Sequence, residues 1–114
     1  AVGQGALALQ VRQDDPKTSR VARALNHKDT QRLMLIERHF LARLGGGCRV
    51  PVGIRSKKSG SRMRLRAAVF SVSSGSFVEG SVECAWSGAL KAAARLADGL
   101  LRRGARRFLK EARS

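Results

Sequence analysis

The chain has 114 residues, 43% of them hydrophobic, which fits a single domain with one modest core. No stretch has the length and apolar content of a transmembrane span, so we expect no membrane partner. Its two cysteines, Cys48 and Cys84, are far apart and in dissimilar settings. They do not indicate a disulfide framework, and a location in a reducing compartment is expected.

The formal net charge of +15 is the most unusual bulk property, with 23 lysines and arginines against 8 acidic residues. A positive field attracts polyanions, so a basic nucleic-acid-binding module is one function class to consider. However, the basic residues are spread over the whole chain, the aromatic residues are not interleaved with them, and no nucleic-acid-binding signature is present. We therefore rank a basic solvated surface first and expect no specific nucleic-acid partner.

The first predicted elements are a strand and a short helix. Apolar side chains alternate with others over residues 7–12, which is the period of a half-buried strand. Asp15 followed by Pro16 is typical of a helix N-cap with proline at the first helical position, and this helix should run to about Leu25. The apolar positions of the strand are Leu7, Leu9 and Val11.

A longer helix is predicted next. Asn26 should cap its N-terminus, with Asp29 three residues later as a partial capping box. Gly45 supplies the C-terminal stop. A broad apolar face predicts that this helix is well buried. That face comprises Leu33, Met34, Leu35, Ile36, Phe40, Leu41 and Leu44.

A period of two follows and predicts three strands. The first covers residues 50–58 and ends in a turn at 58–61. The second covers residues 62–69 and has one apolar and one cationic face. After a turn at 73–76, the third runs from Phe77 to Trp86, and Gly80 indicates a bulge within it.

A last helix should begin at a cap supplied by Ser87 and be interrupted at Gly104, with Phe108 extending the packing beyond. The elements together predict an α+β fold, in which a small three-stranded antiparallel sheet packs with about three helices. The strand at residues 7–12 precedes this unit. The apolar stripe of the last helix is Leu90, Ala93, Leu96, Leu100 and Leu101.

The segment from Gly45 to Pro51 is the leading candidate for a functional site. Three glycines leave the approach to Cys48 without side chains, and Pro51 forces an extended exit from the loop. A thiol presented this openly suits chemistry better than packing. Arg43 and Arg49 lie close in sequence, and either would favour the thiolate if its side chain points towards Cys48. Cys84, at the end of a predicted strand, has a structural role instead.

Other candidate residues carry weaker signals. Gln4 lies between Gly3 and Gly5, where the backbone can approach a ligand closely, although a plain turn into the strand explains the same pattern. His27 and His39 lack metal-ligand spacing with either cysteine, so no metal site is expected. Glu37 and Arg38 are interpreted as orienting their helix by ion pairing.

The carboxylates near the last helix do not indicate acid–base chemistry. Asp98 and Glu111 do not form a paired-carboxylate arrangement. These two carboxylates are therefore not predicted to be catalytic.

Several segments, in the same order along the chain, resemble porphobilinogen deaminase (hydroxymethylbilane synthase). The resemblance implies that Cys48 carries a dipyrromethane cofactor through a thioether, with Gln4, Gly5, Gly46 and Gly47 at the cofactor site. It also implies a transferase that condenses four porphobilinogen molecules into a polypyrrole chain. The segments are Ala1–Ala6, the Leu-Asn-His at residues 25–27, the stretch from Glu37 to Gly53, and the leucine-rich pattern from Leu96 to Ala105.

The resemblance has consequences for domains and activity. Members of the family are roughly three times as long, so residues 1–16 are expected to be an orphan strand and linker of a neighbouring domain. Residues 17–114 would form the C-terminal cofactor-anchoring domain. The catalytic aspartate would lie upstream of Ala1, so the fragment alone should be inactive.

The resemblance also bears on partners and location. The carboxylates of the family's substrate and product give a positive cleft a second explanation, ranked between the solvated surface and nucleic acid. The full-length enzyme should be a monomer in the cytoplasm or a plastid stroma. An inactive truncated paralogue and a basic nucleic-acid-binding module stay open as alternatives.

Overall fold

The structure is a computed structural model that describes residues 6–45 and 51–113, without the side chain of Arg113. Within these ranges two helices precede a sheet, and two more helices follow it. The elements are α1 (Pro16–Leu25), α2 (Lys28–Leu44), β1 (Val52–Ser59), β2 (Arg62–Phe70), β3 (Phe77–Ala85), a 3₁₀ turn (Trp86–Gly88), α3 (Ala89–Leu100) and α4 (Arg106–Arg113).

The three strands form one antiparallel sheet in the order β1-β2-β3. Arg62 of β2 lies opposite Ser59 of β1 and Ala85 of β3, and the pairing continues without interruption to Phe70 opposite Phe77. Along β2, buried and exposed positions alternate, because successive side chains of a strand point to opposite faces. The helices pack on one face only. The predicted α+β fold with its three-stranded antiparallel sheet is confirmed.

The core lies between this face of the sheet and the helices. Helix α2 packs against α3 and β1, and α3 packs against β3. The apolar side chains at this interface exclude water, and their burial is the main favourable contribution to folding. The fully buried large side chains are Ile36, Phe40, Met63, Leu65, Val69 and Leu100.

The two N-terminal helices begin at side-chain caps. The Asp15 carboxylate accepts a hydrogen bond from the backbone N–H of Thr18 at 3.1 Å, as the sequence predicts. The cap of α2, however, is His27 and not Asn26. The Nδ1 atom of His27 accepts from the N–H of Thr30 at 3.1 Å. Asn26 instead ends α1, because its N–H bonds to the carbonyl of Arg23.

The strand predicted at residues 7–12 is not formed. Described residues 6–12 are irregular, and the side chain of Leu7 is 99% exposed. A strand needs a partner to satisfy its backbone donors and acceptors. Among the described residues, neither edge of the sheet pairs with this segment.

The bulge predicted at Gly80 is also wrong. Gly80 pairs directly with Ala67 in an unbroken register. A Cβ atom at this position would lie 3.0 Å from Cδ1 of Leu96 and 3.4 Å from Cδ2 of Leu100. Gly80 is therefore a point of close approach between α3 and the sheet, which the strand pattern alone does not reveal.

The apolar faces of the long helices are narrower than predicted. Leu35 on α2 and Leu90 on α3 are exposed, because the sheet covers only one side of each helix. Ser87 lies within the 3₁₀ turn, and α3 begins after Gly88 without a side-chain cap. The small residues of α3 take the buried positions instead, namely Ala89, Ala92, Ala93 and Ala97.

The predicted interruption at Gly104 is confirmed. Its φ of 117° is a conformation that residues with a Cβ rarely adopt. The chain bends here, and α4 turns back so that Phe108 and Leu109 become buried.

Candidate functional site

The cysteine segment connects the end of α2 to the start of β1. Cys48, Gly46 and Gly47 lie outside the described residues, as do Gln4 and Gly5. Their predicted roles therefore stay predictions. The structure describes both ends of the connection, together with the elements that hold those ends in place.

The upstream end of the connection is a regular helix stop. Gly45 has φ 79° and ψ 23°, and its N–H bonds to the carbonyls of Leu41 and Ala42. This left-handed residue is the usual way in which a helix is terminated and the chain turned. Leu44, the last helical residue, is buried in the core. The segment that carries Cys48 thus begins from a firmly packed helix end, as predicted.

The downstream end is fixed by the sheet. The carbonyl of Pro51 accepts a hydrogen bond from the N–H of Phe70 at 2.9 Å, and Val52 then pairs with Val69. The chain enters β1 in the extended conformation that Pro51 favours. The cysteine segment therefore rejoins the sheet beside the end of β2 and the start of β3.

An ion pair holds the last turn of α2 against α3. The Nε atom of Arg43 lies 2.9 Å from Oδ1 of Asp98, and a second guanidinium nitrogen lies 3.1 Å from Oδ2. The hydrogen bond from Arg43 lowers the pKa of Asp98, and the same bond raises the pKa of Arg43. Arg43 was expected to favour the Cys48 thiolate, but its charge is already compensated by this carboxylate.

A second contact joins the sheet to α4 near the end of β2, where the cysteine segment rejoins the sheet. The hydroxyl of Ser71, just after β2, donates to Oε2 of Glu111 on α4 at 2.8 Å. The same hydroxyl accepts from the N–H groups of Ser73 and Ser74. Glu111 therefore stabilises the turn between β2 and β3. The serine-rich turn was visible in the sequence, but its partner 40 residues away was not.

Two phenylalanines are exposed beside the downstream end of the cysteine segment. Phe70 and Phe77 are 41% and 54% exposed, and their ring centroids are 5.7 Å apart with planes tilted by 41°. They lie opposite each other on β2 and β3. Contiguous exposed apolar surface is a feature of interaction sites. Sequence reasoning missed this pair because strand register decides which aromatic residues meet.

Glu37 is almost completely buried, with 4% of its surface exposed. Its Oε2 atom accepts a hydrogen bond from the hydroxyl of Ser56 on β1. A buried carboxylate needs such donors, because an unpaired charge away from water is costly. Glu37 thus joins the middle of α2 to the sheet, a role that the helical pattern did not predict.

The described residues contain no group of three or more potential metal ligands. His39 is exposed on the surface of α2, and the ring of His27 is used as a helix cap. Cys84 is a free thiol that packs at the edge of the core. None of the helices in the described ranges is long and apolar enough to span a membrane.

Comparison with known proteins shows which sequences this chain is similar to. Residues 32–101 match the family "Porphobilinogen deaminase, C-terminal domain". The chain is 37% identical over 113 residues to porphobilinogen deaminase from Pelotomaculum thermopropionicum, covering 99% of the chain and 36% of that protein. It is 38% identical over 109 residues to the protein of the same name from Nostoc sp., covering 96% and 34% respectively.

A shorter alignment reaches higher identity. The chain is 49% identical over 71 residues to porphobilinogen deaminase from Rubrobacter xylanophilus, covering 62% of the chain and 23% of that protein. Nearly the whole chain aligns with the P. thermopropionicum and Nostoc relatives, but it spans only about a third of the length of each of them. It belongs to the porphobilinogen deaminase family, within which it corresponds to the C-terminal domain.

Proposed function

We propose that this chain provides the cofactor-anchoring part of a hydroxymethylbilane synthase, with Cys48 as the covalent anchor of a dipyrromethane group. The observation that carries the proposal is the match of residues 32–101 to the C-terminal domain of the family. That range contains the Gly-Gly-Gly-Cys-Arg-Val-Pro segment in full. The activity as a transferase that condenses four porphobilinogen molecules is proposed for the full-length protein.

The residues around the anchor fit such a group chemically. A cysteine sulfur forms a stable thioether with an electron-deficient carbon, and the thiolate is the reactive form. The upstream end of the connection is held by the core at Leu44, and the downstream end is held by the sheet through the hydrogen bond to the carbonyl of Pro51. A covalent anchor that serves repeated turnovers benefits from such rigid attachment. The exposed rings of Phe70 and Phe77 provide an apolar surface close to the downstream end.

In this proposal the chain's own residues have limited tasks. As the S–C bond forms, the Cys48 thiol would lose its proton and the pyrrole methylene carbon would lose the amino or hydroxyl group that it carried, so that proton and leaving group depart together as ammonia or water. The dipyrromethane group, when bound, supplies the terminal pyrrole on which the product chain grows. Gly46 and Gly47 leave room around the sulfur, and Gln4 with Gly5 is assigned to the same site. The ion pair of Arg43 with Asp98 holds the helix from which the segment departs.

The catalytic acid–base group is proposed to belong to the part of the family that this chain does not match. Among the described carboxylates, Asp98 is paired with Arg43 and Glu111 holds two serines. Neither is arranged with a second carboxylate for proton transfer to a substrate. The porphobilinogen and polypyrrole partners are therefore proposed for the full-length protein. We propose a reducing compartment, because a thiol that must accept the group has to be kept reduced.

The anchor can be tested in a chimera. This chain would replace the corresponding third of the P. thermopropionicum relative, to which it aligns over 113 residues, and the chimera would be produced in a host that makes porphobilinogen. We expect the purified chimera to carry extra mass equal to two linked pyrrole units. The increment should disappear in the Cys48→Ser variant.

Cys84→Ser is the matched control, because it removes the other cysteine of this chain without touching the proposed anchor. It should keep the full mass increment. An increment that persists in Cys48→Ser, or that is lost only in Cys84→Ser, would overturn the assignment of Cys48. Circular dichroism of both variants would show that the fold is retained.

A further inference from the structure

The face of the sheet opposite the helices is here called the open face. It carries an unusual set of side chains. Its residues alternate with the buried ones on all three strands and are exposed or half-buried. No helix of the described ranges packs on it. It comprises Gly53, Arg55, Lys57, Ser59, Arg62, Arg64, Arg66, Ala68, Phe70, Phe77, Glu79, Ser81, Glu83 and Ala85.

Like charges stand directly opposite each other on the open face. Arg55 pairs with Arg66 across β1 and β2, and Lys57 pairs with Arg64. Directly opposed like charges destabilise a sheet. Glu83 compensates only Arg64 and Arg62, at 3.3 and 3.8 Å.

Three cations on the open face therefore have no carboxylate partner among the described residues. Arg55, Lys57 and Arg66 are all exposed. The five cations and two carboxylates of the face leave three net positive charges. A bound polyanion would remove the repulsion that the protein itself leaves uncompensated.

The open face also carries the exposed pair of Phe70 and Phe77, at the end of β2 and the start of β3. Between the rings and the cations lies a shallow depression of about 340 Å³, whose lining includes the small residues Gly53, Ala68 and Ser81 together with Arg66 and the carboxylate-bearing Glu79. The small residues keep the depression open. Arg55 and Lys57 are alternate residues of β1 and lie about 6.6 Å apart along the strand, which is on the scale of successive phosphates in an extended nucleic-acid strand, and Arg66 stands directly opposite Arg55 on β2.

We propose that the open face binds single-stranded nucleic acid without strong sequence preference. The sugar–phosphate backbone would follow Arg55, Lys57 and Arg66, and a base would stack on Phe70 and Phe77. Cationic tracks beside aromatic platforms are the general basis of such binding. Every nucleotide carries both a phosphate for the cations and a base for the phenylalanines, whereas an acidic peptide satisfies the cations without necessarily supplying a ring, and a duplex hides the faces of its bases. The inference does not depend on the cofactor proposal.

Fluorescence anisotropy of the 114-residue chain with a labelled oligothymidylate of about 12 nucleotides tests the charge track. The variant combines Arg55→Ala, Lys57→Ala and Arg66→Ala. Each phosphate contact contributes about 0.7 to the slope of log K against log salt. The magnitude of the slope should therefore be smaller by about 2 for the triple variant than for the unmodified chain.

The matched control removes three exposed cations from the helices, at Arg20, Arg106 and Lys110, and should change the slope far less. Equal slope changes in both variants would overturn the proposal, because they would show attraction by diffuse charge.

The aromatic platform is tested by combining Phe70→Leu with Phe77→Leu, which keeps an apolar surface but removes the rings. Loss of stacking should weaken binding about tenfold. Unchanged affinity would overturn the proposal, as would equal binding of a duplex or of polyglutamate of the same charge. Photocrosslinking of 4-thiouridine RNA to the unmodified chain is independent of variant folding. Crosslinks should map to the strands, and crosslinks confined to α1 or α4 would refute the assigned face.

Discussion

Gly80 provides a sharp test of the packing between α3 and the sheet. Glycine is a poor strand residue and valine a good one, so propensity alone predicts that Gly80→Val stabilises the protein by up to about 1 kcal/mol. The structure predicts the opposite. A Cβ at this position would already lie 3.0 Å from Cδ1 of Leu96 and 3.4 Å from Cδ2 of Leu100.

The size of the effect follows from these distances. Carbon atoms in contact prefer separations of about 3.5–4.0 Å, so Leu96 must move by about half an ångström or more for the first atom alone. Valine adds two further methyl groups on the same side. Overpacking of this kind typically costs about 1–3 kcal/mol. We therefore expect Gly80→Val to lower the free energy of unfolding by about 1–2 kcal/mol after the gain in strand propensity.

Urea denaturation followed by circular dichroism measures this free energy. The matched control is Gly53→Val, since a Cβ at Gly53 meets only Phe70, at an ordinary contact distance of 3.7 Å. Leu96→Ala should reduce the cost of Gly80→Val, because the two side chains compete for one space. A stabilising effect of Gly80→Val, or an equal loss with and without Leu96→Ala, would refute the packing argument.

Three further predictions concern capping, pH and activity. His27→Ala should lower the free energy of unfolding by about 1 kcal/mol by removing the cap of α2, whereas His27→Asn should keep most of it; equal losses in urea denaturation would contradict the cap. The pKa values of Asp15 and Asp98 are lowered by hydrogen bonds from Thr18 and Arg43. Their contribution to stability should therefore be complete above the ordinary carboxyl value of 3.8 and decline as the pH falls below it. Asp98→Asn should reduce the loss of unfolding free energy at acid pH. An unchanged dependence of the unfolding free energy on pH would contradict a stabilising role of the Arg43–Asp98 ion pair. The isolated chain should make no hydroxymethylbilane from porphobilinogen, so turnover that co-purifies with it and exceeds that of a mock preparation would show that the catalytic group lies within these 114 residues.

The fold could be predicted from the sequence where local signals and packing agree. Asp15 with Pro16, the glycine stop at Gly45 and the period of two in β2 each have one physical meaning, and each prediction is confirmed. Residues 7–12 show the limit of this reasoning. Their alternation is that of a strand, but alternation does not supply the partner that a strand needs.

Other errors arose where neighbouring residues compete for one role. Asn26 and His27 can both cap a helix, and the choice depends on where α1 ends. Gly80 is compatible with a bulge or with close packing, and only the position of Leu96 decides between them.

For the candidate site, too, some features could be predicted from the sequence and others could not. The cysteine segment was found from its composition, and its two ends have the helix stop and the extended entry that were expected. The contacts that support these ends join distant parts of the chain, as between Arg43 and Asp98 or Ser71 and Glu111. No periodicity encodes such pairs, so the sequence alone could not predict them.

The central claim is that Cys48 carries the covalent group, and peptide mapping of the chimera tests it most directly. Cleavage after arginine and lysine places the two cysteines in different peptides, because Cys48 lies in Leu44–Arg49 and Cys84 in Ala67–Lys91. Tandem mass spectrometry should locate the two-pyrrole increment on the sulfur of the Leu44–Arg49 peptide. An unmodified Leu44–Arg49 peptide in a chimera that carries the intact-mass increment would contradict the account.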